Sequence, residues 1–349
     1  MSRELQDYAA GVADWRKALH ANTRRTYAVI ASFILIYLAI GMLVDMYLAS
    51  GTYRTATLPQ LFGALITFHI FPKATLVLAI VAICSLLVTF WMGNRLMLLG
   101  TEYHEITASN TRNLSEQQLY NVIEEMKVAA GLHYMPKVYV IEADYMNAFA
   151  SGYSEKSAMV AITRGLLDKL DRSELQAVMA HELSHIRHMD IKLTLMASVL
   201  SNITLMVLDM LFYTAIFGGD RRDDGKSRNQ LFVIIMFLRY LLPVITVLLM
   251  LYLSRTREYM ADAGSVELLR DNEPLARALL KIQQDHEANK DTYANQYLAT
   301  PHENIRREAY IFDPIQAGFE PATSIADLFS THPDITRRLA ALGFKKKAA

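Results

Sequence analysis

The chain has 349 residues, with 35 Lys and Arg against 35 Asp and Glu and 10 histidines, so its formal net charge is zero at pH 7 with His neutral. That balance argues against a general affinity for nucleic acid or for acidic partners. A hydrophobic content of 52%, a positive mean hydropathy and a single cysteine, Cys84, exclude an intramolecular disulfide framework and suggest a membrane protein with a water-soluble part.

Residues 1–26 are polar and carry Arg3, Arg16, Lys17, Arg24 and Arg25. They show no cleavable signal peptide and predict a cytosolic N-terminal segment. The apolar run Tyr27 to Leu48, with only Asp45 near its far end, has the ~20 residues that a span needs. The loop beyond carries only Arg54 and Lys73, which favours the outside, and its apolar piece Leu58 to Phe71 is broken by Pro59 and reads as interfacial. Thr75 to Asn94 then returns the chain, with Arg95 at its inner end. Residues 27–94 are thus two transmembrane helices with an extracytoplasmic loop. Cys84 lies within the second and reads as a small apolar filler rather than a reactive thiol.

Residues 95–192 read as soluble α+β. Leu114 to Gly131 has a helical stripe of Leu119, Val122, Ile123 and Met126, a possible capping box at Ser115 and Gln118, and Gly131 as its stop. Lys137 to Ile141, Ala148 to Gly152 and Met159 to Thr163 read as short strands. The following helix is capped by Asp171 or Ser173 and has Leu175, Met179, Leu183 and Ile186 on one face. Roughly opposite lie His181 and His185, with Glu182 on the shoulder between them. This is H-E-x-x-H: two imidazoles one turn apart can grip one metal, while the glutamate reaches a water beside it. His188 shares that stripe but lies roughly 10 Å along the axis from His181, too far for the same ion.

Residues 193–253 hold two further runs, Leu193 to Gly218 and Leu231 to Leu253, each long enough to span. Each has one interior charge, Asp209 and Arg239, at similar depth if both cross, which predicts an ion pair between them, the alternative being that each faces a polar groove separately. The loop between holds Arg221, Arg222, Lys226 and Arg228 beside Asp220, Asp223 and Asp224. Its basic residues favour the cytosol, whereas two crossings place it outside. His181 and Glu258 flank both runs and must meet on one side, so either both runs cross or neither does.

Residues 254–349 are soluble again. A catalytic zinc takes three protein ligands and keeps one position open. Glu258 supplies the third, and Asp262, one turn later, can accept a hydrogen bond from the far nitrogen of a ligating histidine. His302 and Glu303 beside Pro301 lack a second ligand pair and read as surface residues.

Taken with Asn147 to Gly152, Gly165 to Leu167, the Glu174 to Asp190 helix, Arg257-Glu258-Tyr259, Ala261-Asp262 and Thr331-His332-Pro333 with Arg338, the chain resembles the HtpX-type membrane zinc metalloproteases, relatives of the CAAX prenyl endoproteases. These motifs run in the family's order over about 200 residues. The resemblance implies a membrane-embedded α+β protein: four transmembrane helices plus a zincin-like cytosolic protease domain made of residues 95–192 and 254–349. It implies one Zn²⁺ per chain on His181, His185 and Glu258, with Glu182 as general base and His332 and Arg338 stabilising the charged intermediate. Asp262 and Asp190 support the ligands from behind, and Asn147, Ala148, Phe149 and Ala150 form an exposed substrate-binding edge strand. Where many relatives have a second proline after Pro333, this chain has Asp334. The implied setting is the bacterial inner membrane, with the site on the cytosolic side and misfolded membrane proteins as substrates. No nucleic acid is implied, and the absence of a phosphate-loop motif argues against nucleotide use. A site-specific prenyl-peptide protease is the neighbouring alternative. A zinc-stabilised membrane scaffold is the non-enzymatic one, against which Glu182 argues, since a structural site needs no base.

Overall fold

The computed structural model describes the chain apart from residues 1–4, 6–7, 11–13, 98–101, 153, 218–225, 300–308, 313–331 and 348–349. Residues 218–225 of the basic loop, with Arg221 and Arg222, lie outside the described residues, as do His302, Glu303 and Thr331, whereas Lys226 and Arg228 fall in the helix that follows. The chain is mostly helical and forms two units, one of residues Met1–Thr26, Phe90–Lys192 and Leu251–Ala349, the other of Tyr27–Thr89 and Leu193–Met250.

The second unit is built from long apolar helices. Among the described residues, α1 (Trp15–Thr52), α7 (Asp190–Phe217) and α8 (Lys226–Leu269) are long and apolar enough to cross a membrane. α2 (Leu58–Ile66) is short, and α3 (Lys73–Met97) contains the shorter apolar run Lys73–Thr89. Ile40, Leu43, Leu208, Leu211, Leu231 and Ile235 form the unit's core. Three of its charges, Asp45, Asp209 and Arg239, are partnered. Asp45 accepts the backbone N–H groups of Ala74 at 2.8 Å and Thr75 at 2.9 Å, together with the Thr75 hydroxyl at 2.7 Å, and so caps the start of α3. Arg239 Nε lies 2.9 Å from Asp209 Oδ1, the pair expected from their depth, and its guanidinium sits 4.0 Å above the Phe212 ring centre. Cys84 faces outward from α3.

The first unit holds a four-stranded sheet in the order β2-β3-β5-β4, formed by β2 (Tyr103–Ile106), β3 (Lys137–Ile141), β4 (Ala148–Ser151) and β5 (Met159–Thr163). β3 and β5 are parallel, and the other pairs are antiparallel. A small two-stranded ribbon pairs β1 (Tyr8–Ala10) with β6 (Phe344–Lys346). α4 (Leu114–Ala130) follows the expected stripe, but its cap is Asn113, whose side chain accepts the Glu116 N–H at 2.8 Å. Ser115 lies inside the helix, one of the small boundary shifts that competing caps produce. After α5 (Arg164–Lys169) comes α6 (Arg172–Arg187), opened by the Asp171–Glu174 capping box.

α6 packs on α4, β4 and α9 (Glu273–Ala288). Leu175, Met179, Leu183 and Ile186 enter the core with Leu119, Val160 and Leu279, each contributing about 1.5–3 kcal/mol by burial. The sequence expects only that face to be covered, yet His181, Glu182, Ser184 and His185 are buried too. The cover comes from α8, which continues without a break from its apolar stretch through Glu258 and Asp262. A sequence boundary after Leu253 therefore falls inside one helix. The described chain ends with α10 (Lys290–Ala299), α11 (Ile335–Ala341) and β6.

Candidate metal centre

The close approach of α6 and α8 depends on small side chains. A Cβ at Gly264 would lie 2.3 Å from Ser184 Oγ, so glycine lets the helices meet there. Next to it, the Ser265 hydroxyl donates to the Ala177 carbonyl at 2.8 Å. This contact sets Glu258 and Asp262 against His181 and His185.

The Nε2 atoms of His181 and His185 are 3.2 Å apart. Glu258 Oε2 lies 3.7 Å from the first, and its Oε1 lies 3.6 Å from the second. Tetrahedral zinc with bonds of ~2.0–2.1 Å sets its ligand atoms roughly 3.3 Å apart, so this donor set fits a single ion of that kind. The far nitrogens turn the rings toward that point: His181 Nδ1 is 3.0 Å from Asp262 Oδ1, and His185 Nδ1 is 2.8 Å from Asp190 Oδ2. With both Nδ1 protons held by carboxylates, two lone pairs face each other across 3.2 Å, an arrangement a cation relieves. Asp190 reaches His185 because the chain turns sharply after α6, where Met189 adopts a left-handed φ of 54°.

Electrostatics follow from burial. Desolvation dominates at His181 and lowers its pKa against the pull of Asp262. Burial also opposes protonation of His185, but Asp190, Glu258 and Glu182 together outweigh it, and the pKa is raised. Burial raises the Asp262 carboxyl, yet the Arg338 guanidinium and His181 hold it well below the usual carboxylate range. Glu258 is likewise held low, by His332, His185 and Arg338 against its burial. At Glu182 burial wins: it outweighs the pull of His185, Arg338 and the Ala150 N–H, and pushes the carboxyl up to about 8.

His332 and Arg338 both reach the centre. His332 Nδ1 and Arg338 Nη1 each lie 3.6 Å from Glu258 Oε2. Arg338 is already engaged: Nε and Nη2 grip Asp262 at 3.0 and 2.6 Å, and Nη1 donates to the Ile311 carbonyl at 2.8 Å. Every nitrogen of this guanidinium thus has an oxygen partner. Asp334 caps α11, which carries Arg338, by accepting the Thr336 N–H at 2.7 Å. His188 instead lies against the Ser184 carbonyl at 2.8 Å.

The expected substrate edge is only partly open. β4 is last in the sheet, but its outer side carries a bridge from Phe149 to Tyr310. Ile311 N–H donates to the Ala148 carbonyl at 3.0 Å, the Asn147 amide donates to the Phe312 carbonyl at 3.0 Å, and Phe149 is fully buried. The exposed edge expected at Asn147, Ala148 and Phe149 is therefore corrected: the chain covers it itself, because Tyr310, Ile311 and Phe312 have apolar side chains to bury. Alternation along the strand turns the backbone edge of Ala150 to the outer side of β4, with its N–H toward Glu182, but this residue is buried as well. Sequence reasoning missed this bridge and the Gly264–Ser184 contact. The run of small residues Ala261, Ala263, Gly264 and Ser265 was a signal for the second.

Residues 113–344 match the family model described as Peptidase family M48. The chain is 40% identical over 331 residues to a protease HtpX homolog of Helicobacter pylori (strain Shi470), covering 95% of this chain and 98% of that one. An HtpX homolog of Streptococcus uberis is 31% identical over 326 residues, covering 92% and 96%. Among solved structures, that of S. mikatae Ste24p is similar at 20% identity with a TM-score of 0.44, covering 90% of this chain and 63% of that one.

Proposed function

The chain belongs to peptidase family M48, alongside the HtpX proteases, and from that premise we propose that it is a zinc-dependent integral-membrane endopeptidase using one zinc ion on His181, His185 and Glu258. The observation that carries this reading is the buried His-His-Glu cluster with the buried Glu182 carboxylate beside it. Zinc held there would supply Lewis-acid activation of water and of the scissile carbonyl.

The chain's own groups divide the remaining work. Glu182 takes the proton of the attacking water and passes it to the departing amine. Asp262 and Asp190 hold the Nδ1 protons of His181 and His185, keeping each Nε2 lone pair aimed at the centre. His332 donates toward the oxygen of the tetrahedral intermediate, an effect of ~3–4 kcal/mol for one well-placed donor. Arg338 positions Asp262 and keeps positive charge near Glu258. Substrate backbone pairs with the outward side of β4 at Ala150, with Asn147, Ala148 and Phe149 shaping that edge through residues 310–312.

The protein is read as a multi-pass protein of the bacterial inner membrane with four spans: the three long helices and α3. Residues 95–192 and 254–349 form a zincin-like domain on the cytosolic side, and its substrates are cytosolic segments of misfolded or damaged membrane proteins. The apolar helices support the bilayer as partner, and the HtpX relatives support the protease class.

The decisive experiment compares wild type with Glu182→Gln, each metal-stripped and zinc-restored, on unfolded casein. The reading expects one zinc per chain in both and cleavage only by wild type. Cleavage retained in the mutant, or the absence of stoichiometric zinc in wild type, overturns it.

A further inference from the structure

A cavity of about 510 Å³ lies between the first turns of α1 and the face formed by α11 and residues 259–266 of α8. We propose that it binds the phosphate-bearing headgroup of an anionic membrane lipid. Its size is in the range of small-molecule sites. Lys17, Arg25 and Arg337 line it. Among the described residues, the charged ends of Lys17 and Arg337 have no hydrogen-bond or ion-pair partner, and Arg25 donates only to the neutral Asn22 amide oxygen at 3.1 Å.

The two acids in the lining do not cancel these cations. Asp262 is neutralised by the two-pronged grip of Arg338, and the one remaining acid, Asp14, which accepts the Lys17 backbone N–H at 3.2 Å, offsets a single charge of the three. The cavity is therefore a concave surface with unsatisfied positive charge. Guanidinium forks suit phosphate oxygens, and a lysine adds a mobile point charge.

A lipid rather than a soluble phosphate follows from the helix that supplies the cations. Arg25 stands two residues before the apolar run beginning at Tyr27, and Lys17 is roughly 12 Å further back along the same axis. Basic residues in that position attract anionic leaflets. Trp15, which also lines the cavity, has Arg16 and Arg270 over its ring at 5.1 and 4.9 Å and so reports on the cavity's charge. None of this depends on the hydrolytic reading.

The test uses the full chain in neutral detergent. The sequence has two tryptophans, so Trp91→Phe leaves Trp15 as the reporter. Fluorescence is followed while phosphatidylglycerol or phosphatidylcholine is added in mixed micelles, and sn-glycerol 3-phosphate in solution. The expected result is a saturable change with phosphatidylglycerol, at a midpoint at least tenfold below that for phosphatidylcholine. Lys17→Gln, and Lys17→Gln with Arg337→Gln, should raise the midpoint tenfold or more at an unchanged unfolding temperature, while Lys17→Arg retains it. Arg24→Gln, an exposed neighbour outside the cavity, should leave it within twofold. Equal response to phosphatidylcholine, no shift in Lys17→Gln, or an equal loss in Arg24→Gln overturns the site. A match between glycerol phosphate and phosphatidylglycerol overturns the lipid assignment.

Discussion

Replacing Gly264 by alanine tests whether helix approach sets the metal geometry. The added Cβ would stand 2.3 Å from Ser184 Oγ and 2.8 Å from Ser184 Cβ, where ordinary contacts need about 3.5–4.0 Å. Either α8 retreats by on the order of 1 Å, or Ser184 rotates and gives up its 2.9 Å bond to the Ala180 carbonyl. Overpacking of this kind costs about 1–3 kcal/mol, offset by about 1 kcal/mol of helix propensity gained over glycine, so the net loss of stability is about 1 kcal/mol. The larger effect is on the centre. Glu258 rides on α8 at 3.6–3.7 Å from the two histidine nitrogens on α6, and a shift near 1 Å takes it out of register. Zinc affinity, measured by competition with a chromophoric chelator, should fall at least tenfold. Adding Ser184→Gly removes both obstructing atoms and should recover most of that loss. A Gly264→Ala protein that binds zinc as wild type does would refute the idea that this contact governs the site.

Asp262→Ala leaves Arg338 buried without its carboxylate and frees the His181 ring. It should cost about 3–5 kcal/mol in denaturant unfolding and lower zinc affinity 10–100-fold. His286 is buried, and desolvation lowers its pKa to about 4 from an ordinary 6.5. The native state thus binds fewer protons than the unfolded chain between those values, and stability falls as pH drops from 6.5 toward 4. The difference between wild type and His286→Phe should change by about 3 kcal/mol over that window, and an unchanged difference would count against the burial account. At Met189, with φ 54°, glycine should be neutral or stabilising, whereas valine should cost about 1–2 kcal/mol by thermal unfolding. Equal stability of the two would show that this turn carries no backbone strain.

How legible each part was follows from sequence distance. His181, Glu182 and His185 could be read directly because helical periodicity places residues four apart on one face. The cap at Asp171 or Ser173, the strands and the long apolar runs were legible for the same local reason, and the depth of Asp209 and Arg239 followed from counting residues along two helices. Glu258 required a chemical argument, a missing third ligand, because no local pattern links it to α6.

What lay beyond that reading depends on which surfaces meet. The one-sided α6 became a buried helix because α8 covers its histidine face, and only Gly264 opposite Ser184 allows that cover to come close enough. The β4 edge, exposed by strand order alone, is bridged from Tyr310 because a distant segment had aromatic side chains to bury. Arg338, read as a group for the intermediate, is spent on Asp262 because two buried opposite charges lower their cost by pairing. Periodicity and residue chemistry, both local, determined the elements and the donor types. The spacing of donors, their protonation and the length of edge left open were decided by packing, since each depends on atoms far apart in the chain that only folding brings together.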